Sequence, residues 1–227
     1  MKHNVTRRSV LRTAAVAGAA AAAGPALAAA PASAEERRER QRPETSANGW
    51  PIQPNADVSS LVWTRSVAGT GLSVAVWIGD VEAILLHVIR RFHYEVEEIQ
   101  GIDLTGWQEI GKVRRDLPES NLASGTAVRI RPGARAKGGF FPLQELALRD
   151  ILADCEGVVR WGGDDRHVDE SLFYIAVGRQ DARLAKLVNK LRGWEGTPGE
   201  GAGVTVDISS QARRTRAEGL ARVQRSS

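Results

Sequence analysis

Nitrogen and sulfur metal donors are few in this sequence, with four His and one Cys. His87, His93 and His167 are the histidines beyond the first residues, Cys155 is the one cysteine, and Asp164, Asp165, Asp169 and Glu170 cluster around His167. His167 with Asp169 and either Asp164 or Asp165 has the composition of a metal site, although zinc favours a defined set of nitrogen and sulfur donors. His87 and His93 are six residues apart, not the three or four that would put two ligands on one helix face. A lone cysteine excludes an internal disulfide framework and a cysteine-based zinc ribbon. No GxGxxG, Walker A, HExxH or GxSxG pattern occurs.

Three helices must position these groups. Asp80 reads as an N-cap followed by Val81, Leu85, Val88 and Phe92 on one side. Phe141-Pro142 opens a second helix, with Leu148, Ile151, Leu152 and Cys155 on one face, which makes Cys155 a small core residue rather than a nucleophile. Asp181 starts a third, with Leu184, Leu187, Val188 and Leu191 inward and Gly193 at its end. Between them, Thr126–Arg131 alternates as TAVRIR, Val158–Trp161 is a short apolar run, and Leu172–Val177 is rich in strand formers. Strands clustered among flanking helices predict an α+β domain with a small antiparallel sheet.

The charge belongs to one end. The 227 residues include 31 Lys plus Arg and 27 Asp plus Glu, for a formal +4. Lys2, Arg7, Arg8 and Arg12 fall in residues 1–34, which hold no acid, so residues 35–227 are formally neutral. A nucleic-acid partner, which needs cations concentrated on the folded domain, is therefore not expected. Residues 1–34 read as an export signal: Thr6-Arg7-Arg8-Ser9-Val10-Leu11-Arg12, an Ala-rich run, then the small-residue cleavage patterns Ala28-Ala29-Ala30 and Ala32-Ser33-Ala34. The arginine pair is similar to the twin-arginine signal that carries folded cargo. An Ala/Gly-rich run makes a poor retained span, so no stable membrane segment is expected after cleavage. Residues 35–47 read as a charged spacer, 48–194 as the globular domain, and 195–227 as a Gly-rich linker with a basic tail, which reads either as a weak strand followed by a frayed helix or, in preference, as unstructured. The tryptophans read mainly as core and half-buried anchors. Trp161, beside Gly162-Gly163, is the one expected to line a cleft, and Gly138-Gly139 is expected to form a loop near it.

Ser120-Asn121-Leu122-Ala123-Ser124-Gly125-Thr126-Ala127-Val128-Arg129, Cys155-Glu156-Gly157-Val158-Val159-Arg160-Trp161-Gly162-Gly163-Asp164 and Asp169-Glu170-Ser171-Leu172-Phe173-Tyr174-Ile175 together resemble the M15 family of zinc peptidases. That family includes D-alanyl-D-alanine carboxypeptidases and the L-alanyl-D-glutamate peptidases of phage endolysins. The resemblance implies the M15 or Hedgehog-type peptidase fold over residues 48–192. It also implies a site in which Ser120, Gly125 and Ala127 match the motif SxHxxGxAxD and Asp169 matches the general base.

The ligand positions depart from that motif. Leu122, Arg129 and Leu172 stand where the family has His, Asp and His. Leucine offers no donor and arginine does not deprotonate to become one, so zinc is not expected. A base without a metal-bound water has little to activate. Arg129 is expected either to take the metal's place by pairing with Asp169, with both leucines filling the remaining space, or to reach out to solvent. The functional expectation is an exported, non-catalytic M15-like protein that binds peptidoglycan stem peptide, with Ser120, Trp161 and Arg129 as cleft candidates. The alternatives are an active peptidoglycan peptidase with a relocated metal, and a secreted structural or interaction protein with a filled cleft.

Overall fold

A computed structural model describes residues 44–133, 137–204 and 206–226. The expected signal, residues 1–34, and most of the charged spacer lie outside the described residues. The described ones belong to a single compact unit.

The first strands among the described residues form a hairpin, β1 (Val62–Ser66) and β2 (Ser73–Trp77), paired antiparallel. Helix α1 (Asp80–Arg91) follows and ends in a π-helical turn, Phe92–Val96. A four-stranded antiparallel sheet is built from β3 (Leu104–Thr105), β4 (Ala127–Ile130), β5 (Val159–Trp161) and β6 (Leu172–Ile175), in the order β3-β4-β6-β5. Helices α2 (Pro142–Asp154), α3 (Ala182–Glu195) and α4 (Gln211–Arg225) complete the fold. The α+β class and the small antiparallel sheet thus match the sequence pattern. Among the described residues no helix is long and apolar enough to cross a membrane.

Register explains where the core lies. Val128 pairs with Phe173 and Arg129 with Leu172, and side chains alternate across a sheet. One face therefore carries Val128, Ile130, Phe173, Ile175, Val159 and Trp161, which join apolar residues of α1, α2 and α3 in the main core. The other face carries Ala127, Arg129, Leu172 and Tyr174. A 3-10 turn, Pro118–Leu122, covers it and adds Leu122 to a second small apolar cluster with Ala127, Leu172 and Tyr174. Every residue of β4 and β6 is consequently buried. The alternating TAVRIR pattern suggests one wet face, but here both faces are covered.

Several local expectations are revised. Asp80 is the first residue of α1, not its cap. The cap is Gly79, at φ 91°, whose N–H donates to Glu82 Oε2 at 3.2 Å. Asp181 does cap α3, accepting from the Arg183 N–H at 2.9 Å, but the helix runs through Gly193 to Glu195. Residues 44–47 are anchored rather than a solvated spacer. Ser46 Oγ donates to the Trp50 carbonyl, and the Ala47 N–H donates to Ser120 Oγ at 2.9 Å. The basic tail forms α4, seated on α2 and against β5. Arg213 donates to Asp150 and Asp154, Arg216 to Asp154, and Gln224 Nε2 to the Val159 carbonyl. A helix this polar reads as unstructured in sequence because its anchors are acids on a distant helix.

Candidate functional site: a buried arginine cluster

Arg129 is 3% exposed, and its guanidinium lies among three acceptors. Nε and Nη2 both lie 3.3 Å from Asp169 Oδ2, Nη2 donates to Glu119 Oε2 at 2.7 Å, and Nη1 donates to Gln108 Oε1 at 3.3 Å. The pairing with Asp169 is thus present, but it converges on one oxygen rather than forming a two-oxygen fork. The other oxygen, Oδ1, accepts from the Ser171 N–H at 3.1 Å and from Ser171 Oγ at 2.5 Å. Burial raises the Glu119 carboxyl, but bonds from Arg114 and Arg129 outweigh it and hold the group below its ordinary range. Sequence reasoning does not single out Glu119 or Gln108. Glu119 adjoins Ser120 in the first motif-like segment, whereas Gln108 lies in irregular chain and carries no local signal.

The surrounding chain holds this cluster in place. Leu122 and Leu172 meet in one apolar cluster beside it, as the alignment of the three segments expects. The Gly162 carbonyl accepts from the N–H of Asp169 at 3.0 Å, and a Cβ at Gly162 would stand 2.5 Å from the Asp169 carbonyl. A Cβ on Gly163 would strike the Trp161 ring at 2.4 Å. Glu170 Oε1 and Oε2 accept from the N–H groups of Gly138 and Gly139 at 2.7 and 2.8 Å, tying that loop to the residue after Asp169. Trp161 is 2% exposed and donates Nε1 to the Glu170 carbonyl at 2.7 Å, while Arg149 stacks 4.6 Å above its ring. It therefore packs in the core and lines no cleft. Ser120 is also fully buried, its Oγ taken by Ala47.

No protein-family model, curated protein or solved structure matches this chain.

The remaining candidates are dispersed. Asp164 is engaged by Arg149 and Arg225, and Asp165 accepts from Tyr174 Oη at 3.0 and 2.9 Å and from Arg160 at 2.9 Å. His167 is exposed. His93 Nδ1 accepts from the Ile99 N–H at 3.2 Å. His87 is buried against Trp194, and burial, reinforced by Arg91, pulls its imidazole down to about 3. Cys155 is fully buried in the core, and burial pushes its thiol up to about 12, so it is no nucleophile at neutral pH. Among the described residues no group of three or more His, Cys, Asp or Glu could hold a metal ion.

Zinc does not fit at the Arg129 cluster. The two leucines supply no donor, and the guanidinium occupies the space between the acceptors with a positive charge. Nor does Arg129 offer an open anion site, because it is 3% exposed and each of its three nitrogens already has an acceptor. What the arrangement can do is hold β4, the 118–122 turn and the 169–171 turn together by charge.

Proposed function

We propose that this protein is an exported, non-catalytic domain of M15 type that works by binding in the cell envelope. In this reading peptidoglycan is the expected partner, and the former metal site serves as a structural ion cluster. The observation that supports it is Arg129, tied to Asp169, Glu119 and Gln108 where the family alignment puts a zinc ligand. A guanidinium that is 3% exposed, with two carboxylates and an amide already on its three nitrogens, is closed to a substrate carboxylate. This favours a filled site over a cleft that reads the stem peptide through Arg129, so wall contact would use another surface. The export part rests on Arg7-Arg8 and the small-residue cleavage patterns.

The test is metal analysis of the purified full chain, with stem-peptide cleavage assayed with and without chelator and muropeptides titrated in parallel. The expected result is no stoichiometric zinc and no hydrolysis. One equivalent of zinc, or chelator-sensitive cleavage of a D-alanyl or L-alanyl-D-glutamyl bond, would overturn the reading. Muropeptide binding that survives Arg129→Lys places recognition outside the former site, and absence of any binding removes peptidoglycan as the partner. For export, Arg7→Lys with Arg8→Lys should block secretion and leave folded precursor in the cytoplasm. Unchanged secretion would exclude the twin-arginine route.

A further inference from the structure

Helices α2 and α4 lie side by side but do not close against each other along their whole length. On α2, Pro142, Glu145, Leu146 and Arg149 follow helical spacing, and on α4 so do Arg214, Ala217, Glu218, Ala221 and Arg222. These stripes face a groove of about 520 Å³. The groove exists because α4 presents two alanines opposite Leu146, where larger side chains would fill the space. Phe140, Pro142, Leu146, Ala217 and Ala221 give it an apolar lining, and the volume lies in the range of small-ligand sites.

The charge around that lining is uneven. Arg149 and Arg225 are committed to Asp164 and Glu145. Arg214 and Arg222 are exposed at the rim and form no ion pair among the described residues, in contrast to Arg213 and Arg216 of the same helix, which are spent on Asp150 and Asp154. Glu218 is the acid nearest them on α4, one turn from each, and among the described residues it too forms no ion pair. Four arginines and two glutamates therefore border an apolar trough, with two of the guanidinium groups available. The unpaired rim charges are two guanidinium groups and the Glu218 carboxylate, a net +1, so a cationic head would meet net repulsion. An anion of carboxylate or phosphate type would gain charge-assisted bonds while its apolar body displaced water from the trough.

We infer that the α2–α4 groove binds a soluble, single-chain anionic amphiphile, its acid head held by Arg214 and Arg222 and its apolar body laid on Leu146, Ala217 and Ala221. This does not depend on the M15 reading, since none of the residues lining the groove belongs to the Arg129 cluster.

The probe is dodecanoate below its micelle concentration, titrated into the full chain by calorimetry. Dodecyltrimethylammonium, inorganic phosphate and anionic phospholipid vesicles serve as separate arms. Saturation at one equivalent is expected with dodecanoate, with no binding of the cationic analogue or of phosphate alone. Arg214→Gln with Arg222→Gln should weaken dodecanoate about tenfold or more. Arg192→Gln, an exposed arginine on α3, should leave it unchanged. Both changes are on the surface, and circular dichroism checks that α4 persists. Leu146→Glu, which changes the trough and not the rim, should weaken binding as well. The inference fails if dodecanoate does not saturate, if the cationic analogue binds equally, or if the double arginine variant binds like the parent. Binding to anionic vesicles without binding of monomeric dodecanoate would overturn it in favour of a membrane-surface contact.

Discussion

Arg129 and Leu172 sit directly opposite each other in the β4–β6 ladder, and the chain turns three residues before Leu172 so that Asp169 reaches the Arg129 guanidinium at 3.3 Å. A buried cation and its counter-ion are thus set by one register. Burying an ion pair costs desolvation that roughly offsets the pair's attraction, whereas removing one partner leaves the other charge uncompensated.

Arg129→Met should accordingly destabilise the protein by about 3–5 kcal/mol in urea denaturation, because Asp169 would then lie buried without its cation, whereas the partly buried Glu119 keeps Arg114. Adding Glu119→Gln and Asp169→Asn to that variant should recover part of the loss. Arg129→Lys should fall between, since one ammonium does not reproduce the fork that reaches three acceptors. If the triple variant proved less stable than Arg129→Met alone, the cluster would not be acting as a charge-compensated unit.

Installing the ligand set of the M15 motif tests the geometry from the other side. Leu122→His, Arg129→Asp and Leu172→His together should bind zinc measurably, and each alone should not, because zinc needs the set. Without metal this variant carries a new carboxylate at position 129 beside those of Asp169 and Glu119, three acids in mutual repulsion. Its melting temperature should therefore sit below the parent's and rise on adding zinc. A variant indifferent to zinc would mean that positions 122, 129 and 172 do not converge well enough for coordination.

His87 makes stability sensitive to acid. Its folded-state value is pulled from the ordinary 6.5 down to about 3, first by burial and then by Arg91. The unfolded chain therefore takes up a proton near pH 6.5 that the folded chain refuses until about pH 3. Stability from this group is full above 6.5 and is lost progressively as pH falls toward 3. His87→Leu, which keeps an apolar contact with Trp194, should flatten the fall in melting temperature between about pH 6.5 and 4.5. The same slope in the variant would remove His87 as its source.

The C-terminal helix should be separable from the core. Arg213→Gln with Arg216→Gln removes bonds to Asp150 and Asp154, while both acids keep Arg91 as a partner. The arginines are partly exposed, so the loss should be modest, about 1 kcal/mol for each contact after solvent screening. Hydrogen exchange should quicken along residues 211–225 and stay slow in β4 and β6. Faster exchange throughout the sheet would show that α4 is integral to the global fold.

How much of this is legible in sequence depends on the range of the determining interaction. Helices α2 and α3 and strands β4, β5 and β6 can be read because apolar spacing and turn residues are local signals. That Leu122, Leu172, Arg129 and Asp169 lie near one another is an expectation carried by the M15 resemblance and not by any local pattern. The β1–β2 hairpin escapes such a reading: Val62–Ser66 exposes most of its residues, and its partner strand begins at Ser73 after an irregular turn. Gly125 is confined by that distant hairpin, with a Cβ placed 2.4 Å from Val62 Cγ2.

The sequence by itself determined that no metal ligand stands at positions 122, 129 and 172, because donor chemistry belongs to the residue type and no fold can supply it. It also determined, through periodicity, most of the segments that become helix and the central strands of the sheet. Only the tertiary structure decided that Arg129 turns inward, because strand alternation selects a face but not what covers it. The 118–122 turn and residues 44–50, pinned by Ser46, Ala47 and Asn48, cover that face, and this makes Glu119 and Gln108 partners of Arg129. The tail was likewise decided in three dimensions: its arginines look like free charge along the chain and become anchors once α2 brings Asp150 and Asp154 beneath them. Long-range electrostatic pairing leaves no periodic trace, so it becomes visible only when the chain has folded.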